Sequence, residues 1–215
     1  IREEILLIAD KYGDERRTQI IAAEGEMTNE DLIKEENVVV AMTRFGYIKR
    51  MPVDTYKAQR RGGKGITGIQ TREEDFVKQL FVTSTHDTLM FFTNKGKVYR
   101  LKGYEIPEFS RQSKGIPIVN LLQVEKDERV NAVIQISRDE ECKYLLFATE
   151  GGIVKKTLIS EFANIRNSGK ICISLRENDK LIDVKKTTGN DLVLLGSDSG
   201  RMVKFNEDEI RVMGR

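Results

Sequence analysis

The chain has 215 residues, of which 39% are hydrophobic and 33% are charged, and its formal net charge is +2. This composition is typical of a globular protein with one large or two small domains, and no apolar run approaches the ~18 residues needed to span a bilayer. A single histidine and two cysteines give no zinc-ligand pattern, and we expect Cys142 and Cys172 to be reduced, buried thiols of a cytoplasmic protein.

The first 36 residues are predicted to be a helix tail and a connector. Four apolar residues recur at helical spacing: Ile1, Ile5, Ile8 and Tyr12. They predict a helix over residues 1–12 that begins upstream of this sequence, with Gly13 in the C-terminal position that favours glycine. Residues 18–23 favour a short strand, and residues 28–31 are similar to a capping box. The segment carries a net charge of −6, whereas residues 37–215 carry +8.

A repeat begins at Val38. Each copy is an apolar strand, a glycine-containing tip and a second strand that ends in cations. The hydroxyl residues that end the apolar strands are Thr43, Thr93, Thr149 and Ser197, and they are spaced by 50, 56 and 48 residues. Glycine at the tip is what a tight hairpin requires.

A further β-prone run precedes each later hairpin, at residues 79–83, 132–137 and 181–185. We expect each run to pair with the apolar strand that follows it through a polar turn. Units of about 50 residues with four short strands are typical of propeller-like blades. The sequence therefore predicts an all-β array over residues 37–215, with three blades and a truncated fourth.

A basic, glycine-rich heptad lies in the first unit: Gln59-Arg60-Arg61-Gly62-Gly63-Lys64-Gly65. Its glycines allow positive φ and close backbone approach, so the heptad indicates a loop that accommodates a polyanion. A nucleotide-binding P-loop is excluded by spacing, because Ala58 replaces the first glycine and Gly65 replaces the hydroxyl residue. Looser copies occupy residues 111–116 and 164–171.

Positive charge recurs in phase with the repeat. Residues 43–65, 93–115 and 149–171 carry +6, +4 and +2, whereas residues 66–92 and 116–148 each carry −2. Because equivalent positions of blades face equivalent directions, we expect a basic stripe along one edge, with the acidic turns directed elsewhere. The candidate polyanion-binding residues outside the heptad are Arg44, Lys49, Arg50, Lys57, Lys95, Lys97, Arg100, Lys102, Arg111, Lys114, Lys155, Lys156, Arg166 and Lys170.

A curved stripe of point charges suits the phosphate backbone of duplex DNA. The repeats contain no candidate recognition helix, and their aromatic residues occupy predicted strand positions, where they are expected in the core. Those residues are Phe45, Tyr47, Phe91, Phe92, Tyr99 and Phe147. We expect binding with low sequence specificity, DNA bending and steep salt dependence. A propeller scaffold for acidic proteins remains the alternative. An enzyme site is disfavoured because acids, histidines and cysteines are not clustered in the sequence. His86 is expected in a hairpin turn.

Several motifs carry a specific family resemblance. They are the heptad, Gly46-Tyr47-Ile48-Lys49-Arg50, Tyr56-Lys57-Ala58-Gln59-Arg60-Arg61, Lys114-Gly115-Ile116-Pro117-Ile118-Val119-Asn120-Leu121-Leu122 and Lys11-Tyr12-Gly13-Asp14-Glu15-Arg16-Arg17-Thr18. With them the sequence resembles the C-terminal domain of bacterial DNA gyrase A subunits over essentially its whole length. The related domain of topoisomerase IV lacks an intact heptad, so the heptad favours gyrase.

The resemblance implies a β-pinwheel, a propeller variant whose blades exchange strands and whose basic perimeter wraps DNA. It implies that residues 1–36 leave an upstream coiled coil and that the heptad either contacts DNA or latches the first blade to the last. It also implies a cytoplasmic A2B2 enzyme in which the A subunit's N-terminal region and the B subunit are partners, and ATP and Mg²⁺ act outside this sequence. The DNA-cleaving tyrosine of the family has no counterpart here, so this chain is expected to bind DNA without cutting it.

Overall fold

The computed structural model describes residues 1–15, 17–18, 29–55, 75–137 and 142–215. The heptad and Lys57 lie outside these residues, as do all but the first residue of the predicted strand at residues 18–23. The described chain divides into two compact units, Ile1–Ile33 and Lys34–Arg215.

The first unit contains helix α1, Arg2–Tyr12, and a single 3₁₀ turn at Asn29–Leu32. The helix ends where the sequence predicted, with the Gly13 N–H donating to the Ala9 carbonyl at 2.8 Å. Gly13 has φ of −68°, so the chain leaves the helix in an extended conformation. Among the described residues, no helix is both long and apolar enough to cross a membrane.

The second unit consists of antiparallel sheets. Its strands are β1 (Asn37–Thr43), β2 (Tyr47–Pro52), β3 (Val77–Ser84), β4 (Thr88–Thr93), β5 (Lys97–Lys102), β6 (Ile116–Pro117), β7 (Val130–Ile136), β8 (Tyr144–Thr149), β9 (Val154–Leu158), β10 (Lys170–Ile171), β11 (Leu181–Thr187), β12 (Leu192–Gly196) and β13 (Met202–Asn206). The first sheet has the order β3-β1-β2-β6, the second β10-β5-β4-β7, the third β11-β8-β9 and the fourth β12-β13. The predicted all-β array is confirmed.

The four hairpins share one turn geometry. In each, the hydroxyl of Thr43, Thr93, Thr149 or Ser197 accepts a hydrogen bond from the backbone N–H four residues later, at 3.2–3.3 Å. The tip glycine has φ of +83°, +73°, +77° and +79° in chain order. Glycine adopts this conformation at little cost, so its regular spacing in the sequence marks the hairpins correctly.

The predicted pairing of the strands that precede the later hairpins is wrong. β3 pairs with β1 of the preceding hairpin rather than with β4, and β7 and β11 likewise pair backwards with β4 and β8. The described polar turns after β3 and β11 carry the chain from one sheet to the next. His86 lies in the first of these turns, which joins two sheets, so the expectation of a hairpin turn is wrong. Each of the first three sheets is thus completed by a strand that the sequence pattern assigned to the next unit.

Short strands from later in the chain extend two of the sheets. β6 adds to β2 in the first sheet, and β10 adds to β5 in the second. At the opposite edges, β3, β7 and β11 lie side by side, since Lys78 Nζ donates to the Val130 carbonyl and the Asn131 amide donates to the Leu181 carbonyl. We therefore call the β3, β7 and β11 edges inner and the β6 and β10 edges outer.

The hydrophobic core lies between successive sheets. Leu89 and Phe91 of β4 pack against the first sheet, whereas Met90 and Phe92 pack against the third. Successive side chains of a strand point to opposite faces, and both faces of β4 are covered, so residues 89–92 are continuously apolar. Phe45 contradicts the expected core position: it lies in a hairpin turn and is 53% exposed.

Candidate nucleic-acid interface

Two equivalent loops precede β6 and β10 on the outer edge. We call residues 110–115 rim loop 1 and residues 164–169 rim loop 2. Strand pairing fixes their correspondence, because Ile116 is opposite Ile48 and Lys170 is opposite Val98, the equivalent residue of the next hairpin. The two loops are the looser copies of the heptad that the sequence revealed. Structurally, Lys114 corresponds to Ser168, and Arg166 corresponds to Gln112.

Each rim loop is docked onto the sheet that precedes it. The Arg50 N–H donates to the Pro107 carbonyl, and the Phe109 N–H donates to the Arg50 carbonyl, at 3.2 and 3.1 Å. Beyond the loops, the N–H groups of Ile118 and Cys172 donate to the carbonyls of the tip glycines of the first and second hairpins, at 2.7 and 2.9 Å. A rim loop therefore belongs to one repeat in sequence and to the preceding sheet in space.

Both rim loops end in a glycine with a left-handed backbone. Gly115 has φ of +78° and Gly169 has φ of +77°. A Cβ at Gly115 would lie 2.3 Å from the Ile48 carbonyl oxygen, and one at Gly169 would lie 2.6 Å from the Tyr99 ring. Both the φ angle and the close approach therefore require glycine at this place in the loop.

Lys49 lies beneath rim loop 1 and not on its surface. Its residue exposure is 0%, and its ammonium donates to the carbonyls of Ser110, Arg111 and Ser113 at 3.1, 2.6 and 2.9 Å. Burial lowers the pKa of Lys49 from its ordinary value. The expectation that this residue belongs to the exposed stripe is wrong, because its side chain is buried and its ammonium group is hydrogen-bonded to backbone carbonyls.

Lys155 and Lys156 are also buried, at 8% and 4% exposure. The Lys155 ammonium donates to the Cys172 carbonyl at 2.9 Å, and the Lys156 ammonium donates to the Glu207 carbonyl at 2.7 Å. Both were predicted to face a ligand, and both instead satisfy backbone groups inside the second unit. The in-phase cations of the sequence thus include structural lysines.

Other candidate cations reach the surface although each makes at least one contact within the protein. Arg50 donates to the Ile106 carbonyl at 2.6 Å and lies 3.6 Å from the Glu108 carboxylate. Arg100 donates to the Ala163 carbonyl at 2.8 Å, and Lys102 donates to the His86 carbonyl at 3.1 Å. These contacts restrict each side chain without covering it completely.

Lys95 and Lys97 are paired with an acid that the sequence placed elsewhere. Their ammonium groups lie 3.5 and 2.5 Å from the Glu125 carboxylate. The hydrogen bond from Lys97 is the main reason that the pKa of Glu125 is lowered, and the same bond raises the pKa of Lys97. Glu125 belongs to an acidic stretch expected to point away from the cations, and at this position that expectation is wrong.

The structure brings three of the predicted cations into one cleft. Arg100, Arg166 and Lys170 line it together with Asn164, Ser168 and Gly169. Arg100 and Arg166 are exposed, and Lys170 is half-buried with its ammonium 3.2 Å from the Asn164 carbonyl. A concave surface with several convergent cations is suited to binding phosphate oxygens.

The remaining described candidates are Arg44, Arg111 and Lys114. Arg44 and Lys114 are exposed, and Arg111 is half-buried. The Arg44 guanidinium lies over the Phe76 ring, 5.7 Å from its centroid. Gln59, Arg60, Arg61, Gly62, Gly63, Lys64, Gly65 and Lys57 lie outside the described residues, so their predicted role stays a prediction.

Two residues that bear on this surface were not identified from the sequence. Glu125 neutralises cations from a distant part of the chain, and Tyr99 occupies the position that corresponds to Lys49. The Tyr99 hydroxyl donates to Glu128 at 3.0 Å, and burial together with this bond raises its pKa. Only the alignment of the hairpins indicates the equivalence of Tyr99 and Lys49, and no sequence signal identifies Glu125.

Comparison with protein families finds four consecutive matches to the DNA gyrase C-terminal domain, a beta-propeller family. They cover residues 37–84, 87–137, 143–188 and 191–215. The first three matched ranges contain β1 to β3, β4 to β7 and β8 to β11, so each of these matches contains the principal strands of one sheet.

Known proteins show the same similarity. The DNA gyrase A protein of Halalkalibacterium halodurans is 53% identical over the whole chain, and the chain spans about a quarter of that relative, 26% of its length. A solved C-terminal domain of DNA topoisomerase IV superposes with a TM-score of 0.72 and 29% identity, covering 85% of this chain and 55% of that one. A solved DNA gyrase A C-terminal domain gives a TM-score of 0.65 and 27% identity, covering 84% and 58%.

Proposed function

The chain belongs to the DNA gyrase C-terminal domain family, and on that basis we propose that its outer edge binds, bends and wraps duplex DNA. The DNA would follow the rim loops from one sheet to the next. Its phosphates would contact the exposed cations on those loops. Binding of this kind would support ATP-dependent negative supercoiling by a gyrase holoenzyme in the cytoplasm, with the remainder of the A subunit, the B subunit, ATP and Mg²⁺ supplying the other steps.

The observation that best supports this proposal is the cleft lined by Arg100, Arg166 and Lys170. Arg100 comes from the second sheet, and the other two residues come from rim loop 2 and the start of β10, which dock onto that sheet. The cleft therefore depends on the same strand exchange that builds the array. Arg100 and Lys170 are each held by a backbone carbonyl, so they contact a polyanion at a smaller entropic cost than free side chains would.

The chemistry of the outer edge predicts phosphate contacts without base reading. The candidate residues are arginines and lysines, and the described aromatic residues of β4, β5 and β8 are buried, apart from the half-buried Tyr144. We therefore expect low sequence specificity and an affinity that falls steeply as salt increases. An affinity that is nearly constant between low and moderate salt would contradict phosphate binding.

The heptad is proposed to be the first and most basic member of the rim-loop series. In both described copies, the final glycine docks onto the preceding sheet. If Gly65 acts in the same way, the heptad also latches the first blade to the last one in the intact protein. The cations Arg60, Arg61 and Lys64 would then contact DNA next to that junction, so closure and DNA binding are compatible roles.

A topology assay tests the proposal. The protein is bound to nicked circular DNA, the nick is ligated, and the trapped linking difference is measured after deproteinisation. We expect a positive shift that grows with protein concentration and disappears at high salt. A matched reaction with Arg60, Arg61 and Lys64 replaced by alanine should lose most of the shift while retaining its thermal unfolding transition.

A second candidate is the corresponding role in topoisomerase IV, in which DNA is bent without chiral wrapping. The superposition on a topoisomerase IV C-terminal domain favours including it. The same assay separates the two: salt-sensitive binding with no linking difference would support bending alone. Absence of salt-sensitive binding would contradict both candidates.

A further inference from the structure

Rim loop 1 directs three backbone carbonyls inward, toward one ammonium group. The oxygens of Ser110, Arg111 and Ser113 lie 3.1, 2.6 and 2.9 Å from Lys49 Nζ. A lysine ammonium has three donors and no acceptor, so the three carbonyls match its hydrogen-bonding capacity. Lys49 is therefore bound by the loop as a ligand would be, and it has no remaining donor for phosphate.

Rim loop 2 meets the same requirement by a different route. The residue beneath it is Tyr99, which has no ammonium group and whose hydroxyl is directed to Glu128 and the Gln123 carbonyl. The Asn164 carbonyl, equivalent to that of Ser110, instead accepts a hydrogen bond from Lys170 at 3.2 Å. Lys170 stands where rim loop 1 has Ile116. Both loops thus place a cation against the first of their carbonyls.

Building on the proposed function, we propose that Lys49 is a positioning residue for DNA binding, whose ammonium holds rim loop 1 in the conformation that presents Arg111 and Lys114 to phosphate. Lys49 does not touch DNA. Its removal leaves the carbonyls of Arg111 and Ser113 without their donor and the Ser110 carbonyl with only the Ser113 N–H, 3.1 Å away, and carbonyls that lose their partners turn toward water. That rotation moves the two cations of the loop.

The test begins with Lys49→Met, which keeps the length and apolar stem of the side chain and removes its ammonium. DNA affinity is measured across a salt series, and amide hydrogen exchange of residues 111–116 is measured without DNA. We expect an affinity loss of about tenfold and a salt slope reduced by about two, because two phosphate contacts are lost. Exchange in the loop should rise while exchange in β4 and β8 stays unchanged.

A second substitution tests whether the charge acts through the loop. Ile116→Lys in the Lys49→Met background introduces the arrangement that Lys170 gives rim loop 2. We expect it to restore loop protection and to bring affinity back to within about threefold of the original protein. Ile116→Lys alone adds the same charge, so an equal gain in that control would show that the rescue is only electrostatic and would overturn the proposal.

A matched control removes a lysine that also donates to a backbone carbonyl but lies away from the rim loops. Lys186 on β11 donates to the Gln135 carbonyl at 3.0 Å. Lys186→Met lowers the net charge equally and should leave affinity within about twofold and loop exchange unchanged. If Lys49→Met does not fold, Lys49→Tyr with Ile116→Lys reproduces the Tyr99 and Lys170 pairing; loop protection without DNA affinity in that variant would also overturn the proposal.

The remaining outcomes are distinct. Lost affinity with unchanged loop exchange and a slope reduced by about one would mean that Lys49 itself contacts phosphate, and the proposal would be wrong. Raised loop exchange with unchanged affinity would overturn it as well, since the loop would then not contribute to binding. If the unmodified protein shows no salt-dependent DNA binding, the proposed function fails, whereas the exchange data still report whether Lys49 holds the loop.

Discussion

Rim loops 1 and 2 have corresponding positions and the same left-handed final glycine, but they distribute their cations differently. In rim loop 1, the buried Lys49 satisfies the loop carbonyls, and Arg111 and Lys114 are left for the surface. In rim loop 2, Lys170 donates to a loop carbonyl and also lines the cleft with Arg100 and Arg166. Holding the loop and presenting charge are separate tasks in the first loop and shared by one residue in the second.

The difference shows what the repeat preserves. Both loops retain a docked backbone, a final glycine and a cation against the first carbonyl, while the residue that supplies the cation changes. Charge that recurs in a repeat is therefore not equivalent to charge on the surface. Lys49, Lys155 and Lys156 contribute to the in-phase pattern of the sequence, yet all three are buried and bonded to backbone carbonyls.

The largest expected effect is on the shared element, the final glycine. Gly115→Ala and Gly169→Ala each introduce a Cβ at a left-handed φ and against a close neighbour. At Gly115 the neighbour is the backbone carbonyl of Ile48, which cannot move without disturbing β2, so we expect about 3 kcal/mol lost from the free energy of unfolding. At Gly169 the neighbour is the Tyr99 ring, and we expect about 2 kcal/mol.

Gly152→Ala isolates the conformational part of that cost. Gly152 has φ of +77°, but nothing lies within 4 Å of its Cβ position. It should lose about 1 kcal/mol, the usual cost of a left-handed non-glycine residue. Chemical denaturation of the three variants measures these differences. Equal losses at all three positions would mean that loop docking contributes nothing beyond the φ requirement.

Lys114→Ala and Lys170→Ala compare the separate and shared arrangements directly. Lys114 supplies only surface charge, so we expect an affinity loss of about threefold and a salt slope reduced by about one. Lys170 supplies charge and also holds the Asn164 carbonyl, so its loss should cost about tenfold and raise amide exchange in residues 164–169. Titration of a DNA duplex at several salt concentrations measures both effects.

The exposed Lys185, which is paired with Asp183 on β11, provides the charge-matched control, and Lys185→Ala should change affinity by less than about twofold. If Lys114→Ala and Lys170→Ala weaken binding equally and neither alters exchange, then the two loops use their lysines in the same way. The different hydrogen bonds of the two rim loops would then have no effect on DNA binding.

The hairpins could be predicted from the sequence because their signals are local. A hydroxyl residue, a turn of three residues with glycine and a cationic second strand lie within about a dozen positions, and the same hydrogen bond recurs in all four copies. The pairing of β3 with β1 could not be predicted in the same way. β3 is compatible with either neighbouring hairpin, and only the packing of whole sheets selects one.

The predicted surface was partly wrong for a physical reason. Sequence position shows where a cation occurs but not whether backbone carbonyls surround it, and lysines are rarely buried without such partners. At Lys49 those partners come from residues 110, 111 and 113, about 60 positions later in the chain. Phe45 was misplaced for a related reason, since its apolar character suggested a strand although it lies in the turn before Gly46.

The smallest predicted effect concerns cations that are neutralised on the surface. Lys95 and Lys97 share Glu125, whereas Arg166 in rim loop 2 is exposed. Glu125→Gln keeps the shape of the side chain and removes the shared carboxylate, which frees Lys97 and leaves Lys95 bonded only to the Lys126 carbonyl among the described residues. DNA affinity at neutral pH should therefore rise by about two- to threefold, within the range of a solvent-exposed ion pair. Glu150→Gln is the matched control, because it removes one exposed carboxylate that is paired only with Lys180 among the described residues, 3.4 Å away.

If both variants gain affinity equally, the effect comes from net charge, and Lys95 and Lys97 do not contact phosphate. A gain confined to Glu125→Gln at low salt, lost as screening increases, would add these two lysines to the DNA-binding surface.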